Sequence, residues 1–216
     1  MEKYIKDIWK VGGFGHYTKQ EPMYLKYLKK LLPDFNGGKV LEIGPGTGEF
    51  AKRLINEFNI TEYKILDLEK NINDSLNKLN GISVPIIPVY SQNYKSLFKD
   101  GFDLIVSNIC IPETPKYYRE DLLNNIIPNT KSIMIIGQLR GKWVKGDEYE
   151  KWITKLYKDN FDDVRCELTP YANCYALSGN KNELEAINAV IIFENFIFEG
   201  LCLIRFGKKF LKLSFN

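Results

Sequence analysis

Between Lys39 and Gly137 the chain alternates short apolar runs with stretches whose apolar residues recur at helical spacing, and this limits the fold more than any other feature. Lys39-Val-Leu-Glu-Ile-Gly44 reads as a strand, and Phe50, Ala51, Leu54, Ile55 and Phe58 form a helical stripe after it. Tyr63 to Leu68 is a second strand, Glu69 to Asn80 a polar helix, and Val84 to Val89 a third strand whose Pro85 and Pro88 suit a sheet edge. Phe102 to Ser107, a helix from Tyr117 to Ile127, and Ser132 to Ile136 continue the series. Each return to a parallel strand needs a crossover helix. The expectation is therefore a doubly wound, mostly parallel α/β sheet with helices on both faces, binding ligands at the strand C-termini.

The flanks are less regular. Tyr24, Leu25, Leu28, Leu31 and Leu32 recur at helical spacing before Pro33-Asp34 and Gly37-Gly38 break the pattern, so residues 1–35 are read as an N-terminal helical and lid segment. The main domain is expected over 36–180. Its last part holds a helix from Glu148 to Tyr157, then Asp163 to Leu168 and Ala172 to Leu177, which read as an antiparallel hairpin around Pro170. Residues 181–216 form a hydrophobic extension. Ala189 to Phe206 is nearly continuous apolar sequence, but Glu194, Glu199 and Arg205 interrupt it, and each charge near a bilayer centre costs about 2.5 to 3.5 kcal/mol. No integral membrane span is expected. Asn188, Asn195, Glu199 and Cys202 recur at helical spacing, which predicts a helical extension with a narrow polar face, covered by its own domain or by a second copy in a homodimer. Lys208, Lys209 and Lys212, interleaved with Phe210, Leu211 and Leu213, leave contact of the tail with a membrane surface as the lesser alternative.

Composition narrows the class further. The net charge of +3 is mild and its thirty basic residues are scattered among twenty-seven acidic ones, so nothing calls for nucleic acid as a partner. Cys110, Cys166, Cys174 and Cys202 contain no C-x-x-C pair, and Met1 to Lys10 holds no apolar run of the kind a signal peptide needs. Free thiols, no metal centre and a cytoplasmic location are the expectations.

The chemistry sits in Val40-Leu-Glu-Ile-Gly-Pro-Gly-Thr-Gly48, an apolar strand running into three alternate glycines and then a helix. Glycine lets the backbone turn tightly where a Cβ would collide with a ligand, and the helix N-terminus offers unpaired N–H groups. A nicotinamide dinucleotide site has the spacing G-x-G-x-x-G, which from Gly44 requires glycine at 49, where this chain has Glu49. The spacing favours a cofactor without phosphates, and a nicotinamide oxidoreductase is the weaker alternative. Asp67 ends the second strand at the distance where an acidic residue reaches a ribose hydroxyl in such folds. Val89-Tyr-Ser-Gln-Asn93 and Ser107-Asn108 end the third and fourth strands with short polar side chains facing the same crevice.

Val40 to Gly48 resembles motif I of the class I S-adenosylmethionine-dependent methyltransferases, Ile65 to Glu69 their following acidic motif, and Phe102 to Asn108 their fourth-strand motif. The resemblance covers roughly residues 36–180. It implies a seven-stranded sheet with a reversed last strand and S-adenosyl-L-methionine as cofactor, with S-adenosyl-L-homocysteine as product. It further implies Glu42 and the turn of Gly44, Gly46 and Gly48 around the methionine part, Asp67 on the ribose with Leu68 beside it, Ser91 and Gln92 near adenine, and Asn108 at the end of strand four. Family members that methylate exocyclic amines of bases often carry Asn-Pro-Pro-Tyr after that strand. Here Asn108-Ile-Cys-Ile stands instead, which argues against methylation of DNA or RNA amines.

His16, the single histidine, lies in Gly12-Gly-Phe-Gly-His-Tyr-Thr18, where family members commonly place a lid. Phe14, His16 and Tyr17 are expected to close over the site, with Tyr17 on the cofactor and Phe14 on the acceptor. His16 is expected to act as the base a hydroxyl acceptor needs. Glu113, in Pro112-Glu-Thr-Pro115, is a secondary candidate for facing the acceptor. The expected activity is O-methylation of a small molecule, a sugar or other polar metabolite. N-methylation, or cofactor binding by a partner protein without turnover, are the alternatives. Replacing His16 with Ala is expected to lower turnover by about 10²-fold or more, and unchanged turnover removes its role.

Overall fold

The computed structural model describes residues 21–138, 146–169, 174–181, 201–206 and 209–214. Helix α1 (Glu21–Leu31) precedes strand β1 (Gly37–Ile43), α2 (Glu49–Glu57), β2 (Asn59–Asp67), α3 (Glu69–Lys78) and β3 (Ile86–Tyr90). A 3-10 segment, Ser91–Lys99, leads into β4 (Phe102–Asn108). The short α4 (Cys110–Glu113), α5 (Lys116–Ile126), β5 (Thr130–Gln138), α6 (Gly146–Asn160), β6 (Asp163–Leu168) and β7 (Cys174–Asn180) follow.

These strands form one seven-stranded sheet in the order β3-β2-β1-β4-β5-β7-β6. β1 pairs in parallel with β2 on one side and β4 on the other, and β3 and β5 extend the parallel part. β7 runs antiparallel to both β5 and β6. The doubly wound sheet with one reversed strand is thus the observed architecture, with β3 and its prolines at the rim. The predicted pair Asp163 to Leu168 and Ala172 to Leu177 does form, with its second member shifted to Cys174–Asn180. What periodicity did not reveal is that β7 enters the sheet between β5 and β6. Its Ala176, Leu177, Ser178 and Gly179 are all buried, whereas β6, at the edge, is only partly covered. Small residues suit the inner place, because Phe161 packs against Gly179 where a Cβ would stand 2.4 Å from its ring.

Alternation along each central strand divides the core in two. Leu41, Ile43, Leu66, Ile105, Ile133 and Ile135 face α5 and α6, while Val40, Tyr63, Ile65, Leu104, Val106 and Met134 face the other layer. Tyr24, Leu28 and Leu31 of α1, with Leu32 just after it, join that second layer with Phe50, Ala51 and Leu54 of α2. The spacing of apolar residues in these helices sets this face, as expected for stripes that must be hidden from water.

One expectation needs correction. Leu201–Phe206, read as the end of a helical extension, is strand β8, paired antiparallel with β9 (Lys209–Ser214). Leu201 pairs with Ser214 and Phe206 with Lys209. Local pattern leaves this run of large apolar residues open to helix or strand, and its antiparallel pairing with Lys209–Ser214 decides for strand. Residues 182–200 lie outside the described set. Among the described residues no helix is long and apolar enough to cross a membrane.

Because Gly179 sits against Phe161, Gly179→Ala is expected to overpack the β7 face and cost about 1–3 kcal/mol. Urea unfolding checks this as a lower midpoint at unchanged slope.

Candidate functional site

The C-terminal ends of β1, β2 and β4 meet at the turn after β1, and side chains from the neighbouring helices fill the space around it. Gly44, Gly46 and Gly48 all have positive φ, at 78°, 57° and 81°, which L-residues rarely adopt. Their missing Cβ atoms nevertheless serve three different purposes. A Cβ on Gly44 would lie 2.3 Å from the Cys110 Cβ, so this glycine makes a notch for the chain after β4. One on Gly48 would meet the backbone of Ser75 at 3.1 Å, so this glycine brings α2 and α3 together. A Cβ on Gly46 would meet nothing within 4 Å. Gly46 alone faces open space, and a ligand can approach the main chain there. The loop is held by Gly44 N–H bonding the Leu66 carbonyl at 2.9 Å and by the Ser75 hydroxyl donating to the Gly46 carbonyl at 2.8 Å.

Asp67 ends β2 and is 6% exposed. Its Oδ1 accepts from the Leu68 amide at 2.6 Å and the Asn71 side chain at 2.9 Å, but its buried Oδ2 has no hydrogen-bond partner among the described residues. Burial raises its carboxyl from the ordinary 3.8 to about 6, against the opposing pull of the Leu68 and Asn71 hydrogen bonds. Asn108, at the end of β4, likewise has a buried Oδ1 without a partner among the described residues. Buried acceptors are rarely left unpaired, and these two stand at the strand ends on either side of β1.

Glu42 is 1% exposed, and its Oε2 accepts from the Tyr63 hydroxyl at 2.9 Å, a buried bond that ties β1 to β2 beneath the loop. Burial and then the Glu42 charge push the Tyr63 hydroxyl well up. Glu49, where a dinucleotide motif has glycine, is ion-paired with Lys78 across α2 and α3.

Cys110 was not a candidate from the sequence. It lies against Gly44, and burial followed by the charges of Asp67, Glu113 and Glu42 raises its thiol far above the ordinary range. The charges of these carboxylates thus all bear on Cys110. Glu113, the secondary candidate, is half-buried in α4, and burial raises its carboxyl. Arg119, also missed, is buried in α5, where it donates to the Thr114 carbonyl at 2.9 Å and the Pro112 carbonyl at 3.4 Å and rests over the Tyr149 ring. It brackets Glu113 by its backbone. Tyr118 packs on Tyr94 at 4.6 Å between ring centroids, and burial, then Cys110 and Asp67, push its hydroxyl up. Nothing in the sequence pattern marks these three residues as different from ordinary helix positions.

Ser91 and Gln92 follow β3 at the same end of the sheet, Ser91 partly covered and Gln92 exposed. Leu68 caps α3, partly covered, one residue beyond Asp67. Phe14, His16 and Tyr17 lie outside the described residues. Among the described residues no group of three metal-binding side chains converges, and Cys110 and Cys166 are free thiols.

No protein-family model and no curated protein matches the chain. Solved structures do. The methyltransferase domain of a bacterial CtHen1 protein aligns at TM-score 0.55 and 14% identity, covering 74% of this chain and 97% of that one. Magnesium protoporphyrin IX methyltransferase from Synechocystis PCC 6803, solved with S-adenosylmethionine bound, aligns at 0.56 and 14%, covering 83% and 90%. An O-methyltransferase family protein from Burkholderia thailandensis aligns at 0.53 and 13%, covering 80% of this chain and 62% of that one. The chain thus shares the α/β fold of these methyltransferase structures. At these identities the likeness is one of architecture, and in this methyltransferase fold the glycine turn, Asp67 and Asn108 occupy the strand ends where α/β sheets take their ligands.

The raised Asp67 carboxyl carries a stability consequence. A carboxyl whose pKa is higher folded than unfolded holds its proton longer in the native state, so stability is lost as pH rises from the ordinary value through about 6. Asp67→Asn keeps the Oδ1 acceptor and removes the buried charge. It is expected to unfold at higher urea than the parent above that window, by about 2–3 kcal/mol at most, with the gap closing below it. A gap independent of pH refutes the buried charge as its source.

Proposed function

We propose that the chain is an S-adenosylmethionine-dependent methyltransferase acting on a small polar molecule, with an oxygen acceptor and His16 as its base. The observation that carries the reading is the pairing of an open backbone at Gly46 with the unpartnered, buried Oδ2 of Asp67. The first is a place where a ligand lies directly on the chain. The second is an acceptor that a ribose diol satisfies. The buried or partly buried carboxyls of Glu42, Asp67 and Glu113, whose charges bear on Cys110, suit a ligand bearing a sulfonium and an ammonium group better than a pyrophosphate. The fold adds support, since the structures it resembles include methyltransferases.

The cofactor supplies an activated methyl group whose sulfur is already a good leaving group, so positioning is the main work left to the protein. Asp67 accepts the ribose hydroxyls. The Gly44 to Gly48 loop keeps side chains out of the way, and Asn108 offers its Oδ1 to a donor. Ser91, Gln92 and Leu68 line the adenine end, and Glu42 supports the loop from the strand. On the acceptor side, Phe14 and Glu113 orient the small molecule, Tyr17 closes over the cofactor and His16 takes the acceptor proton. A polar acceptor is favoured over an anionic one by the same carboxylates.

Calorimetry with the folded chain is expected to detect binding of S-adenosylmethionine and S-adenosylhomocysteine, and Asp67→Asn is expected to weaken it about tenfold to hundredfold. Heat from NAD and none from either sulfur compound would replace the reading with an oxidoreductase. Release of S-adenosylhomocysteine over hydroxyl, amine and nucleic-acid acceptor panels then identifies the acceptor. Binding without release across all three points to a cofactor-binding partner protein.

A further inference from the structure

The corner after β4 holds the one non-glycine residue with positive φ among the described residues. Ile109 has φ 68° and ψ −16° between the end of β4 and the start of α4. A β-branched side chain is strained in this left-handed region, and such strain persists only where the surroundings over-determine it. Here they do, at several independent points. Ile109 N–H bonds the Ile136 carbonyl of β5 at 2.6 Å, and Ile111 N–H reaches the Ser107 hydroxyl at 3.3 Å. Cys110 fills the notch at Gly44 on β1, and Pro112 fills another at Gly137 on β5, where a Cβ would stand 2.5 Å from its ring. Arg119 grips the carbonyls of Pro112 and Thr114 from behind. The corner is thus seated in two glycine notches that flank β4, and the strained residue is its pivot. On either side of the pivot lie Asn108, with its unpartnered Oδ1, and the α4 turn carrying Glu113.

We propose that Ile109 is a positioning residue, whose restricted left-handed backbone keeps Cys110 in the Gly44 notch and thereby holds both the glycine loop and Asn108 in the geometry that receives an adenosyl ligand. The claim rests on the reading above for the identity of that ligand, while the seating of the corner does not depend on it. A glycine at 109 adopts the same φ without strain but also roams widely around it, so it stabilises the turn while freeing the corner to move. An alanine remains confined by its Cβ and keeps the strain.

The test compares Ile109→Gly with Ile109→Ala in the full chain. At ordinary positions glycine is the less stable of the two, whereas here Ile109→Gly is expected to have the higher unfolding midpoint. Isothermal titration with S-adenosylhomocysteine is expected to give near-parental affinity for Ile109→Ala and about tenfold or weaker binding for Ile109→Gly, despite its greater stability. Iodoacetamide labelling of Cys110, located by mass spectrometry, is expected to be slow in the parent and in Ile109→Ala and faster in Ile109→Gly. An Ile109→Gly chain that is less stable than Ile109→Ala, or fails to fold, overturns the strain. Unchanged affinity or unchanged Cys110 labelling in Ile109→Gly overturns the positioning role. If the parent itself binds no S-adenosylhomocysteine, the functional reading falls, and the stability order and labelling rates still judge the corner.

Discussion

Strand β1 is hydrogen-bonded in parallel on both sides, to β2 and to β4, and buried on both faces, and this confinement governs the rest of the molecule. A parallel strand must be left by a crossover, so the chain has to turn sharply at its C-terminal end, next to the ends of its two neighbours. Asp67 and Asn108 are therefore brought beside the Gly44 to Gly48 turn by strand pairing and not by any direct bond among them. The register makes this concrete: Ile43 pairs with Leu66 on one side and Ser107 on the other, one residue short of Asp67 and Asn108.

At that junction several locally unfavourable features are gathered. A buried carboxylate oxygen without a partner, a buried amide oxygen without a partner and a β-branched residue in left-handed conformation are each unfavourable in isolation. All three occur within the same small region, while the two apolar layers around the sheet are densely filled. The surrounding core supplies the stability that such a site draws on, and a ligand with suitable donors relieves part of the cost. The three glycines divide the labour around it, with one admitting the neighbouring chain, one admitting a helix and one left open.

Much of this was legible in the residues. Hydrophobic periodicity located the strands of the parallel part to within a few residues, because their positions are imposed by local pattern. Pro85 and Pro88 announced an edge, and the glycine spacing announced the tight turn after β1. The place of β7 was not legible, since hairpin spacing alone does not say which member of the pair lies inside. Leu201–Phe206 was misread because a run of large apolar residues fits a helix and a strand alike, and its partner in Lys209–Ser214 decided between them.

What the sequence determined by itself was the alternation of elements and the chemical type of the strand-end residues, both of which depend only on near neighbours. The tertiary structure alone decided what each of those residues does. Cys110 and Gly44 are far apart along the chain and adjacent in space, so the notch they form has no local signature. The same holds for Arg119 behind the α4 turn, for Tyr63 on Glu42 and for the strain at Ile109. Contacts between elements arise from packing, and packing is set by the whole sheet at once.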